Sequence, residues 1–383
     1  MNQPPIQADE KDAGTARFAA RLREGRHALR RRGRLVIGVF IVAIFYLVAV
    51  FADFLAPYDY RAQSRDEPSA PASVIRFRDV EGRLRLRPFV YPRRLADPLA
   101  RIYEEETSQP YPLVLFPRGH SYKLFGLFAA DRHLFGVASD ETSDRRHSRQ
   151  THAPRVSLLG TDELGRDRFS RLLRASRFSL FVGPAGTLLA GLLGVLIGCL
   201  SGYAGRRTDA VLMRAADAMM ALPALVLILA ARAAFPPQMP PRSAATLMIS
   251  IFVALGWAEM ARLARGLVLS LRSREFVTAA VAVGATPARV LFRHVLPNAA
   301  RPLVVQASLM LPAFLLAETA LSYLGVGVQE PEASWGLMLA RASDLAQLSR
   351  HPLLLLSPAV AIFVFVLGVR LTSDGLRGDS RGA

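Results

Sequence analysis

Two stretches of this chain carry no charged side chain over lengths that suit a lipid bilayer. Leu35–Ala52 and Phe178–Ala204 are uninterrupted by any Asp, Glu, Lys or Arg. A membrane-crossing helix needs about 20 mostly apolar residues. In hydrocarbon every backbone N–H and C=O must be satisfied within the segment, so such a run has to be helical. Four more segments read as spans: Val211–Ala234, Ser243–Leu263, Pro302–Tyr323 and Pro352–Leu371. Arg214, Asp217 and Arg232 interrupt the first of these, and Glu259 and Arg262 the second. The expected fold is an all-α polytopic membrane protein with six transmembrane helices. Gly191, Gly194 and Gly198 share one helical face of the second span, which predicts close contact with a neighbouring helix.

Charge sets the orientation. Residues 1–34 hold nine Lys/Arg against four Asp/Glu, which places the N-terminus in the cytoplasm. The first apolar run is too long for a signal peptide and lacks a small-residue cleavage site, so it reads as an uncleaved anchor. Counting from there puts loop 264–301 and the C-terminal tail inside. That loop carries six arginines against Glu275 alone, in agreement. One cluster disagrees: Arg166, Arg168, Arg171, Arg174 and Arg177 fall on the outer side, just before the second span. The net charge of +17 does not imply nucleic acid, because most arginines flank apolar runs.

Residues 57–177 lie outside the membrane on this count. Val74–Arg78 and Arg83–Arg87 alternate apolar and charged residues around Glu81–Gly82, which predicts a β-hairpin. Phe116, Tyr122, Leu124, Phe125, Leu127, Phe128, Leu134 and Phe135 are too apolar for a disordered linker. The segment is expected to be a small, folded, mixed α/β insert between the first and second spans.

Residues 275–297, EFVTAAVAVGATPARVLFRHVLP, offer no side chains suited to catalysis. Two helical pieces are separated by Gly284. Thr286 is the expected N-cap of the second, with Pro287 at its first position and Pro297 at its end. Ala279, Ala280, Gly284, Leu296 and Pro297 fall in the register of the "EAA" loop of bacterial ABC importer permeases, which the stretch resembles. Thr278 stands where that family usually has Glu. LLGTDELGRDRFSRLL at 158–173, GYAGRRTDAVLMRAADAMMALP at 202–223 and ETALSYLGVGVQEPEASWGLML at 318–339 resemble the dipeptide, oligopeptide and nickel permeases, in their C-type subunit. So does the tail Ser373-Asp374-Gly375-Leu376-Arg377.

The resemblance implies a permease subunit of a binding-protein-dependent importer in the bacterial inner membrane, moving a peptide or peptide-like solute. It divides the chain into a basic segment 1–34, a first helix 35–56, an insert 57–177, a five-helix domain 178–377 and a tail 378–383. It implies as partners a second homologous permease, two ATP-binding subunits, an extracytoplasmic solute-binding protein and membrane lipid. Within loop 264–301, Glu275, Thr278, Ala279, Ala280, Gly284, Thr286, Pro287, Leu296 and Pro297 would couple the spans to the ATPases. No cofactor or metal is expected on this chain itself, with ATP used by partner subunits. Its only lysines, Lys11 and Lys123, do not follow glycine, so there is no Walker A loop.

Other chemistry is sparse. His120, His133, His147 and His152 match no tight metal-ligand spacing. The lone Cys199 lies in an apolar run. Thr161 or Asp162 is expected to cap the helix that follows. Asp217 and Glu318 are the candidate intramembrane polar residues. Asp217 is one turn from Arg214, an expected neutralising pair. Glu318 lies sixteen residues into its span, roughly 24 Å deep, near the outer interface. No carboxylate relay is visible, which argues against the alternative, an ATP-independent secondary transporter or channel.

Overall fold

The computed structural model describes residues 32–124, 127–137, 155–203, 205–236, 239–324, 327–341 and 352–376. The segment before Arg32, Phe125, His147, His152 and the chain after Leu376 lie outside the described residues. Among the described residues five helices are long and apolar enough to cross a membrane. They are α1 Arg32–Val50, α3 Arg168–Tyr203, α6 Pro241–Arg272, the run Pro287–Tyr323 and α11, Leu353–Leu376. The remaining helices are α2 Ala52–Leu55, α4 Arg206–Ala221, α5 Ala224–Ala233, α7 Glu275–Ala282 and α10 Trp335–Arg341.

The expected single span at 211–234 is instead two helices, α4 and α5. They part at Leu222, whose backbone is extended ahead of Pro223. A residue before proline is driven out of the helical region by the proline ring. The second span also starts earlier than expected, at Arg168, because Asp167 caps it. The Asp167 carboxylate accepts from both N–H and hydroxyl of Ser170, at 2.7 Å each. Thr161 and Asp162 do not cap α3. Asp162 Oδ1 instead accepts from the N–H groups of Leu164 and Arg166, folding the strap that precedes the helix.

Small residues hold the bundle together. A Cβ added at Gly194 would lie 2.6 Å from the Trp257 carbonyl oxygen on α6, and one at Gly202 2.6 Å from Val268 Cγ1. Gly198 is equally tight against Ala261 and Ala264, so the expected glycine face is the α3–α6 seam. Lipid tails are as apolar as leucine, so close van der Waals packing, not water exclusion, supplies this contact. A second seam joins α1 to α11, where Gly38 lies against Thr372 and Gly375 against Leu35. Phe45, Phe365 and Trp335 meet edge to face beside it.

The insert is built from strands. β1 Arg76–Arg78 and β2 Leu84–Val90 form the expected hairpin, whose turn is held by Asp79 Oδ1 accepting from the N–H of Glu81 and Arg83. β5 Tyr111–Leu115 and β8 Phe135–Val137 extend it to a four-stranded antiparallel sheet. β3 Arg93–Asp97 pairs with β4 Ile102–Glu105, and β6 Arg118–Leu124 with β7 Phe128–Arg132. No helix occurs among the described residues of 57–167, so the mixed α/β expectation is corrected to β there. Alternating apolar and polar residues favour pleated, half-buried strands over helix. The insert is moored to α2, just beyond the first span: Leu134 N–H donates to the Phe54 carbonyl at 2.8 Å, and Phe54 stacks on Phe116.

Gly198→Leu should force α3 and α6 apart, since overpacking costs about 1–3 kcal/mol or more. Gly205→Leu, which meets open space, should be tolerated. Thermal unfolding of both variants in detergent checks this. An unchanged midpoint for Gly198→Leu would refute the seam.

Candidate functional site

Loop 273–301 forms a hook across the ends of α3 and α6. α7 begins with Glu275, whose charge suits the positive end of the helix dipole. It ends in a Schellman motif: Ala285 N–H donates to the Ala280 carbonyl at 3.1 Å and Gly284 N–H to the Val281 carbonyl at 2.9 Å. Gly284 has φ +88°, the left-handed conformation this cap requires. The next helix, α8 Pro287–Val290, is capped as expected: the Thr286 hydroxyl accepts from Arg289 N–H at 3.4 Å, and Pro287 takes the first position.

Pro297 does not end that helix. Leu291–Val295 widen into a π-helical turn, which runs directly into α9, Leu296–Tyr323. The wider turn shifts the hydrogen-bond register where Pro297 has no N–H to give. Asn298 Nδ2 donates to the His294 carbonyl at 2.6 Å, satisfying one acceptor there.

The hook has an anchored side and an outward side. Val277, Val290 and Val295 are buried with Cys199 of α3 and Val268 of α6. Arg272 donates to the Gly202 carbonyl at 2.8 Å, tying the end of α6 to α3. The outward side is apolar: Val283 is 90% exposed, Phe292 64% and Val281 56%. Thr278 is exposed, and its hydroxyl donates to the Glu275 carbonyl one turn back. The side chain at the family's glutamate position is thus occupied within its own helix. Ala279 is exposed and Ala280 half-buried.

Of the two candidate intramembrane charges, Asp217 has a partner other than the expected one. Asp217 pairs with Arg262 of α6, not with Arg214 of its own helix, and both side chains are more than half exposed. A cross-helix guanidinium satisfies the carboxylate and fixes α4 against α6 together. Nearby, Gln306 donates to Glu259 at 2.8 Å, also on the exposed surface. Glu318 lies near the far end of α9, five residues before Tyr323. It is wholly buried, with Ser322 donating to Oε1 at 2.8 Å. Among the described residues its second oxygen is buried without a hydrogen-bond partner.

Sequence reasoning missed the junction around Glu330, although its arginines were visible as a charge anomaly. Arg166 donates to Glu330 at 2.6 Å and to Asp162 at 2.6 Å, and Arg171 to Glu330 at 3.2 Å. Arg177 pairs with Asp53 at 2.6 Å, and Arg174 with the same carboxylate at 3.6 Å. Four of the five anomalous arginines, Arg166, Arg171, Arg174 and Arg177, are therefore engaged with carboxylates. Burial alone would raise the Glu330 carboxyl, but Arg166 and Arg171 outweigh it and hold it below the usual range. Burial pushes Asp167 up, to about 6, against the pull of its bonds from Ser170. A depressed carboxylate stabilises above its unfolded pKa and loses that contribution as pH falls through its folded one. Glu330→Gln should therefore lose less thermal stability than the parent when pH is lowered below 4.5. Unfolding midpoints measured from pH 6 down to pH 3 (a range of about three units, spanning carboxylate titration) check this. Equal acid sensitivity would refute the pairing.

Residues 194–377 match the family described as binding-protein-dependent transport system inner membrane component. Residues 21–71 match the N-terminal TM domain of oligopeptide transport permease C. Residues 72–193 lie between the two matched stretches. The chain is 41% identical over 220 residues to the oligopeptide transport system permease protein OppC of Bacillus subtilis (strain 168), covering 57% of this chain and 69% of that one. It is 39% identical over 223 residues to the di/tripeptide transport system permease protein DppC of Pseudomonas aeruginosa (strain UCBPP-PA14), covering 57% and 70%. A solved structure of the MetNI methionine ABC transporter, inward facing, aligns at 14% identity with a TM-score of 0.43, over 53% of this chain and 93% of that one.

Proposed function

Because this chain belongs to the family of binding-protein-dependent transport system inner membrane components, we propose that it forms half of the translocation pathway for a peptide or peptide-like solute. The named relatives carry oligopeptides or di- and tripeptides, which supports that solute class. A second homologous permease supplies the other half. Two ATP-binding subunits work at the cytoplasmic face, and a solute-binding protein delivers from outside. The protein is multi-pass in the inner membrane with both termini cytoplasmic. α4 and α5 together make the sixth crossing, broken at Pro223.

One observation carries the coupling role of loop 264–301. The hook is rooted in the α3–α6 seam by buried valines, yet turns Val281, Val283 and Phe292 outward. A rigid element with an unfilled apolar face, continuous with a long helix, suits reception of a push from an ATPase groove. A second observation supports the pathway. Asp217–Arg262 and Glu259–Gln306 put charge on an exposed face of membrane helices. Ionisable groups in a bilayer face other protein or water, not lipid, so this face is where the partner permease and the solute path belong.

Gly284→Leu should leave the chain inserted while abolishing uptake. Left-handed backbone costs an L-residue about 1–2 kcal/mol, and the turn would rearrange. Thr278→Ala should be mild, since its hydroxyl serves only its own helix. Solute uptake and co-purification of the ATPase subunits check both. Full uptake with undiminished ATPase retention by Gly284→Leu would remove the coupling role. The chain purified alone should hydrolyse no ATP; activity that survives removal of contaminating ATPases would sink the division of labour.

A further inference from the structure

Three membrane helices end together beside the hook. Gly375 of α11 packs on Leu35 of α1, and Arg301 Nε of α9 donates to the Leu376 carbonyl at 3.2 Å. Between these ends lies a groove of about 640 Å³. Arg32 and Arg301 line it, with Leu35, Val304 and Leu376 as its apolar walls. Among the described residues no carboxylate lines it. Among the described residues neither arginine forms an ion pair with an acidic side chain.

The composition of this groove selects its ligand. Two guanidiniums attract a phosphate, which they can bind with paired N–H donors. The walls beside them are aliphatic, and Val304 is 51% exposed. A soluble anion gains nothing from such walls. A phospholipid gains on both counts, with its phosphate at the arginines and an acyl chain along Leu35 and Val304. The depth also fits: arginine at the end of a span carries its charge to the level of the headgroups. Basic recesses between the cytoplasmic ends of membrane helices attract anionic lipid in this way.

We propose that this groove binds an anionic phospholipid of the leaflet on the hook's side. This rests on the membrane reading above, but not on the solute carried or on coupling to ATP. Arg301 is five residues into α9, the helix that continues from the hook, so the lipid would brace the root of that lever.

The test uses the full chain, delipidated in detergent with whichever subunits it retains, titrated with phosphatidylglycerol and with phosphatidylcholine. Phosphatidylglycerol should bind more tightly. Arg32→Gln with Arg301→Gln should weaken it by roughly thirtyfold, about one charge–headgroup attraction lost per arginine. Val304→Trp, which fills the aliphatic side and leaves both charges, should weaken it too. Equal affinity for the two lipids, or unchanged binding by both variants, overturns the site. Displacement of the lipid by inorganic phosphate alone would assign a simple anion site instead. Tighter lipid binding after deletion of residues 377–383 would assign the groove to the chain's own tail. None of these readouts involves uptake, so they stand apart from a failure of the transport reading.

Discussion

The α3–α6 seam is the contact on which the rest of the membrane domain depends. Gly194, Gly198 and Gly202 let α6 approach until Trp257, Ala261 and Val268 touch the α3 backbone. In lipid no burial from water drives two helices together, so this fit must be supplied by shape. The seam then serves a second purpose. Cys199 and Val268, at its end, form the floor on which Val277, Val290 and Val295 rest. The hook is thus mounted on a close, side-chain-poor contact between two long helices.

At the other end of the bundle the cement is ionic. The strap before α3 and the loop after α9 meet through Arg166, Arg171, Asp162 and Glu330. Glu318 lies beneath, 22 residues along α9 from Leu296, or roughly 33 Å at ~1.5 Å per residue. Trp335 N–H donates to the Ser179 hydroxyl at 3.3 Å in the same layer. α9 therefore joins the packed hook to a polar outer junction.

Much of this was legible in the sequence, and the failures have definite causes. Uncharged runs gave α1 and α3 directly, and the glycine spacing gave a close contact for α3, whose partner the structure shows to be α6. Thr286, Pro287 and Gly284 declared the hook, because caps and left-handed turns have strict residue demands. Pro297 misled, since a π-helical turn can absorb a missing donor and no local residue announces it. Pro223 was read as part of a span, although it separates α4 from α5. Asp217 was given the wrong partner because sequence shows only neighbours on its own helix. Arg262, 45 residues away, becomes its neighbour only once α4 crosses α6. The Glu330 junction needed the same kind of long-range closure. Its sole sequence trace was five arginines where the charge rule wanted few.

The exposed pair Asp217–Arg262 is the sharpest consequence of that closure. A surface pair contributes little in water. In hydrocarbon the same pair would be costly, and α4–α5 adds an extended residue at Leu222 whose backbone also needs partners. Both demands fall on one side of α6. A polar pair and a broken helix on a common face cannot both point into lipid without penalty. They can both be satisfied by water or by another protein surface. The chain's lipid-facing side, by contrast, carries Leu188, Leu192 and Leu196 in helical register on α3, each more than half exposed. The bundle thus has two unlike faces, one suited to acyl chains and one whose polar groups call for water or for another protein surface.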